Sequence, residues 1–166
     1  MITKNKIDKE TILSSIAPCG LFCTTCTGCK YGEISKHAKE LLHLLEGHEE
    51  FLDKNLKPNY RHKLEEYKLF HKKLKKYAYP KCEGCRNTPN PSCSIKGCVI
   101  PSCTKEHNVD FCADCNEFPC LKVNEKIYKS LFIEKWKKNN EVIKEKGIQK
   151  YYEENKNISH YRNYKI

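Results

Sequence analysis

Residues 82–120 read CEGCRNTPNPSCSIKGCVIPSCTKEHNVDFCADCNEFPC, and this stretch decides what kind of fold the chain adopts. It holds eight of the twelve cysteines: Cys82, Cys85, Cys93, Cys98, Cys103, Cys112, Cys115 and Cys120. Gly84, Pro89, Pro91, Gly97 and Pro101 stand between them, and neither helical nor strand periodicity is sustained. Ile95, Val99, Ile100, Val109, Phe111 and Phe118 are the main apolar residues of the segment. Irregular backbone with so few apolar side chains buries too little surface to offset its ordering entropy, so it needs cross-links.

The other four cysteines, Cys19, Cys23, Cys26 and Cys29, lie in a short N-terminal group. Cys-x-x-Cys pairs recur at Cys23/Cys26, Cys26/Cys29, Cys82/Cys85 and Cys112/Cys115. Two intervening residues let the backbone curl so that both thiolates face one ion while local N–H groups point at sulfur, and two such pairs make a tetrahedral zinc site. All twelve cysteines are therefore candidate metal ligands, enough for two or three zinc sites. Cys82/Cys85 with Cys112/Cys115 is one pairing; Cys93, Cys98, Cys103 and Cys120 then supply a second, interleaved set. A disulfide framework is the competing reading, and it requires an oxidising compartment. A catalytic thiol has no histidine partner in any local pattern. His107 is a replacement ligand at most, and a surface imidazole is the better reading.

Iron–sulfur chemistry is the main alternative at the N-terminal group. Cys19-x3-Cys23-x2-Cys26 has the spacing of the radical-enzyme cluster loop, but the chain is short for the partial barrel those enzymes use. Cys23-x2-Cys26-x2-Cys29 copies the first three ligands of a bacterial ferredoxin without the nearby Cys-Pro. A [4Fe–4S] cluster on these four cysteines is the expectation under that alternative. A metalloenzyme with one open metal position is the second alternative.

The rest of the chain reads as helix. Leu41, Leu44, Leu45, His48, Phe51, Leu52 and Leu56 form one helical stripe, with Ser35 as cap and Pro58 as stop. Tyr60, Leu64, Tyr67, Phe70, Leu74 and Tyr77 form a second, capped by Asn59 and ended by Pro80. Together they predict an antiparallel hairpin over 35–79 whose stripes face each other or the cysteine region. After 120, Leu121, Val123, Ile127 and Leu131 predict one helix. Trp136, Val142 and Ile143 predict another ending at Gly147, and Ile148, Tyr151 and Tyr152 a short last one. The polar stretch from Asn155 is expected to fray. The expected fold is a small single domain, mostly α, with an irregular metal-stapled region. Its parts are a cysteine cluster at 15–30, the hairpin, the cysteine-rich region 82–120 and C-terminal helices over 121–153.

Charge narrows the partners. The 166 residues are 39% hydrophobic and 31% charged, with a formal net charge of +10. Only Arg61, Arg86 and Arg162 among the 31 basic residues are arginine. Surfaces that read nucleic acid use arginine for bidentate contacts. Three divalent ions held by twelve thiolates bring the charge to about +4. A solvated lysine surface is thus favoured over a nucleic-acid site, with a protein partner expected instead. No stretch reaches the length of apolar residues needed to span a membrane. The first eighteen residues lack a continuous apolar run and a small-residue cleavage site, so a cytoplasmic location is expected.

Ile16-Ala17-Pro18-Cys19-Gly20-Leu21-Phe22-Cys23-Thr24-Thr25-Cys26 resembles the opening of a cysteine-rich prokaryotic family, domain of unknown function 3795. Cys82-Glu83-Gly84-Cys85 and Phe111-Cys112-Ala113-Asp114-Cys115-Asn116-Glu117-Phe118-Pro119-Cys120 resemble its second half, and Trp136 to Gly147 its closing helix. Cys29 is an addition to that pattern. The resemblance implies a small, cytoplasmic, metal-binding protein and assigns no reaction. The expected function is a zinc-binding module that presents loops to a partner.

Overall fold

The computed structural model describes residues 7–87, 97–123 and 132–162. Cys93, Ile95, Ile127 and Leu131 lie outside the described residues. Helix α1 (Lys9–Ser15) starts at Asp8, whose carboxylate accepts from the Thr11 N–H at 2.8 Å. This satisfies a donor that the first helical turn would otherwise leave open. Then come α2 (Glu33–Leu44), α3 (His48–Asn55), α4 (Arg61–Ala78), α5 (Ile100–Glu106), α6 (Phe132–Lys146) and α7 (Ile148–Asn155). The fold is mostly helical, and irregular backbone carries most of the cysteines.

Three features of the 35–79 region differ from the sequence reading. Its first stripe is two helices, broken where Gly47 takes φ +76°, a conformation that costs a glycine little. Ser35 does not cap α2; Gly32 precedes the helix, and the buried Ser35 hydroxyl donates to the Ala78 carbonyl at 2.9 Å. Pro58–Tyr60 form a 3-10 turn, so Tyr60 rather than Asn59 precedes α4. The hairpin runs antiparallel: Ser35 meets Ala78, Tyr67 donates to the Leu45 carbonyl, and Arg61 pairs with Asp53.

The packed face of this hairpin is Ala38, Leu74 and Ala78, supported by Leu42 and Leu45, and Leu64 is buried as well. Leu41, Leu44, Phe51, Phe70 and Tyr77 of the predicted stripes are exposed. The inward face of α2 runs through Ser35, Ala38, Leu42 and Leu45, and the break at Gly47 releases Phe51 from that line.

Two apolar clusters hold the remainder. One gathers Ala17, Cys19, Ile100, Cys112, Phe118, Val123, Phe132 and Ile133 around the fully buried Trp136. The other joins α1, Phe22, Phe111, Ile143 and Tyr151. Gly147 follows α6 with φ +79° and ψ 154°, so it turns the chain directly into α7 instead of closing α6 in the left-handed conformation.

Candidate metal centre

The Cys19 loop is built by short-range hydrogen bonds. Ala17 donates to Leu21 O, Gly20 to Ala17 O, and Cys23 to Ser15 O at 2.8 Å. Gly20 sits at φ +80°, and a Cβ there would meet the Asn139 Cβ at 3.0 Å. A side chain at this position would be strained by the positive φ and crowded against Asn139. Downstream, Cys26 donates to Cys23 O, Cys29 to Cys26 O, and the Gly28 N–H points at the Cys26 sulfur at 3.5 Å.

The antiparallel hairpin returns the chain to this loop. Residues 29 and 82 form an isolated bridge, with Cys82 donating to Gly28 O and Lys30 to Cys82 O. Cys82 and Cys85 therefore join the N-terminal cysteines rather than Cys112 and Cys115, contrary to the pairing read from spacing. Helix ends on the two arms of a hairpin are neighbours whatever the loop length between them, and spacing along the chain does not record this. The resulting cavity, about 360 Å3, is lined by Cys19, Cys23, Cys26, Cys29, Cys82, Cys85 and Cys98.

A second, much tighter basin of about 10 Å3 is lined by Cys103 from α5 and by Cys112, Cys115 and Cys120. A 3-10 turn over Cys112–Asp114 shapes it. The Asp114 carboxylate accepts from the Phe111 N–H, and Cys115 donates to Cys112 O. Exposed His107 lies at its rim.

None of the eleven described cysteines is in a disulfide. Burial raises the Cys19 thiol well above its ordinary value, with Cys85 adding repulsion. Burial also pushes Cys23 up to about 12. Cys112 rises to about 12 for the same reason, against the pull of the Trp136 indole. Closely placed thiols far from water stay protonated unless a cation replaces the protons. As they stand, no three Cys, His, Asp or Glu side chains among the described residues are set to hold one ion. The donor type and number nonetheless fit thiophilic metals. One orphaned atom supports the fit. The Trp136 N–H is buried with no hydrogen-bond partner, and it acts electrostatically on the Cys112 sulfur. A thiolate there would satisfy it.

Several residues the sequence reading passed over build the site. Arg86 Nη1 donates to Ile16 O and Nη2 to Asp110 O, each at 2.6 Å, with the guanidinium 4.8 Å over the Phe111 ring. Its rarity in a lysine-rich chain, next to Cys85, was the available signal. Within the C-terminal stretch expected to fray, His160 and Tyr161 instead line the first cavity. His160 donates its N–H to Thr25 Oγ1, and the Tyr161 hydroxyl meets Thr27 Oγ1 at 2.7 Å and the Cys26 sulfur at 3.9 Å.

The fold and its thiol-lined basins define a cysteine-rich, mostly helical protein. Residues 15–125 match the family described as Protein of unknown function (DUF3795), and the chain belongs to that family. The match stops short of Trp136–Gly147. No curated protein and no solved structure matches the chain. No helix among the described residues is long and apolar enough to cross a membrane.

Proposed function

We propose that this chain is a zinc-binding protein that uses metal–thiolate sites to fix irregular loops for binding a protein partner. The observation that carries the reading is the sorting of the described cysteines into two basins, the first gathered from positions far apart in sequence and the second from Cys103 to Cys120. The second basin has four sulfurs and no room beyond a single ion, as a closed structural site would have. Cys103, Cys112, Cys115 and Cys120 would hold that ion. Zinc bound there would supply the cross-link that residues 82–120 lack, and its binding energy would be folding energy.

An iron–sulfur centre is the second reading, favoured by the larger cavity at the N-terminal cysteines. Elemental analysis of anaerobically purified protein, with its visible spectrum, separates the two. Colourless protein carrying stoichiometric zinc is the expected result. Iron with acid-labile sulfide and visible absorption would replace zinc by a cluster, and metal-free folded protein would end both readings.

A further inference from the structure

Cys29 and Cys82 stand directly opposite each other across a parallel bridge. The Cys82 N–H donates to Gly28 O at 3.2 Å and the Lys30 N–H to Cys82 O at 2.8 Å. Backbones paired in this way lie about 4.8 Å apart. That is inside the Cα separation of about 4.4–6.8 Å that a disulfide spans. Successive side chains of extended backbone point to opposite faces. The next pair along, Lys30 and Glu83, closes an ion pair at 2.8 Å, while Cys29 and Cys82 both line the first cavity. Among the described residues no other two cysteines oppose each other across an isolated bridge. The register is also held without sulfur, because the hairpin ends are tied by the Ser35 hydroxyl on the Ala78 carbonyl at 2.9 Å. The two thiols are reached unequally: Cys29 is buried and Cys82 half-buried.

We propose that Cys29 and Cys82 are a redox-active pair, which a low-molecular-weight disulfide oxidises to one intramolecular disulfide joining the two ends of the hairpin. The Cys82 thiolate, the more accessible of the two, attacks the small disulfide. A mixed disulfide forms and one small thiolate leaves. The Cys29 thiolate then attacks the Cys82 sulfur, the bond to the small group breaks, and the second small thiolate leaves. Two protein thiols are oxidised and one small disulfide is reduced, and the two thiol protons end on the two released thiols. The new bond closes the whole loop between residues 29 and 82, whereas a disulfide within one Cys-x-x-Cys pair closes almost none. In the chain-entropy account the longer loop gains more from a cross-link. Both sulfurs line the cavity assigned above to metal, so oxidation would release an ion held there. That consequence rests on the metal-binding reading; the disulfide does not.

The test treats the full-length, chelator-treated chain with oxidised glutathione, blocks the remaining thiols and maps disulfides by tandem mass spectrometry without reduction. Cys29–Cys82 is expected as the first disulfide formed. In strong denaturant the preference should pass to local pairs such as Cys26–Cys29 and Cys82–Cys85, because only the fold brings residues 29 and 82 together. Cys29→Ser and Cys82→Ser should each remove the product, and Cys85→Ser should leave it. A different first pair in the native chain, or both thiols still reduced after exhaustive treatment, would overturn the proposal. So would the same Cys29–Cys82 preference in denaturant. The pair is read on the unsubstituted chain, so a variant that fails to fold does not obscure the result. The metal-binding reading is judged separately, by the metal content of the untreated protein.

Discussion

Asn140 reaches back along 121 residues of sequence to donate its Nδ2–H to the Cys19 carbonyl at 2.9 Å. The same side chain donates to Trp136 O and accepts from the Ala113 N–H, both at 2.9 Å. One fully buried amide therefore joins the loop of the first basin to the turn of the second. Both elements are irregular backbone, and neither satisfies these groups by itself.

Asn140→Leu keeps the volume and removes every partner. Two buried backbone groups, Cys19 O and Ala113 N–H, are left unpaired at about 1–3 kcal/mol each. The expected loss is about 2–6 kcal/mol, measured by denaturant unfolding of the metal-loaded protein. A change under 1 kcal/mol would show that the two basins do not depend on this amide.

Arg86→Lys should cost about 2–4 kcal/mol although charge is conserved. One ammonium cannot reach the Ile16 and Asp110 carbonyls together, and it does not stack on Phe111 as a planar guanidinium does. Arg86→Met at the same position should be at least as damaging. Equal stability of all three proteins, by thermal melting, would refute the role given to the fork geometry.

Trp136→Phe retains most of the ring packing against Phe118, whose centroid lies 5.1 Å away, and deletes the orphaned N–H. A hydrogen bond to a charged sulfur contributes on the order of 1.5 kcal/mol, or roughly tenfold in affinity. Chelator competition should therefore show one ion held about tenfold more weakly. An unchanged affinity would mean that the indole does not address the Cys112 thiolate.

Removal of metal should release residues 82–120 while α4 and α6 keep part of their helicity. Amide exchange at Cys112 and Ala113, whose N–H groups are bonded to Pro18 O and Asn140 Oδ1, reports this directly. Full protection at these amides after verified chelation would sink the view of metal as the core of this half.

The pH dependence should reverse with metal. In the metal-free fold Cys23 is raised from 9.0 to about 12, so the fold favours the protonated thiol. That contribution is complete below pH 9.0 and is lost as pH rises toward about 12. With metal bound the thiolate is required, so acid, which returns protons to sulfur, should unfold the loaded protein. Melting temperatures of chelated and loaded samples across pH should slope in opposite directions; parallel slopes would contradict it.

Composition alone marked 82–120 as rich in cysteine and poor in apolar residues. The 3.6-residue period predicted the helices of the hairpin and those around Trp136 and Tyr151. Local chemistry is enough for such statements, because each depends on residues within a few positions of one another. The break at Gly47 and the inward face Ser35, Ala38, Leu42 and Leu45 were less legible, since exposed Leu41 and Leu44 carry the same apolar signal as buried neighbours. Asn140 stands four residues after Trp136 and three before Ile143, a polar residue on an apolar stripe; the sequence marks its oddity but not its partners. Which cysteines share a basin was decided only in three dimensions. The hairpin brings Cys29 and Cys82 together by closing on itself, and Cys98 reaches the N-terminal loop through packing around Trp136. Spacing constrains only thiols on the same short loop. Long-range neighbours are set by how whole helices pack, and that information is distributed over every residue in the contact.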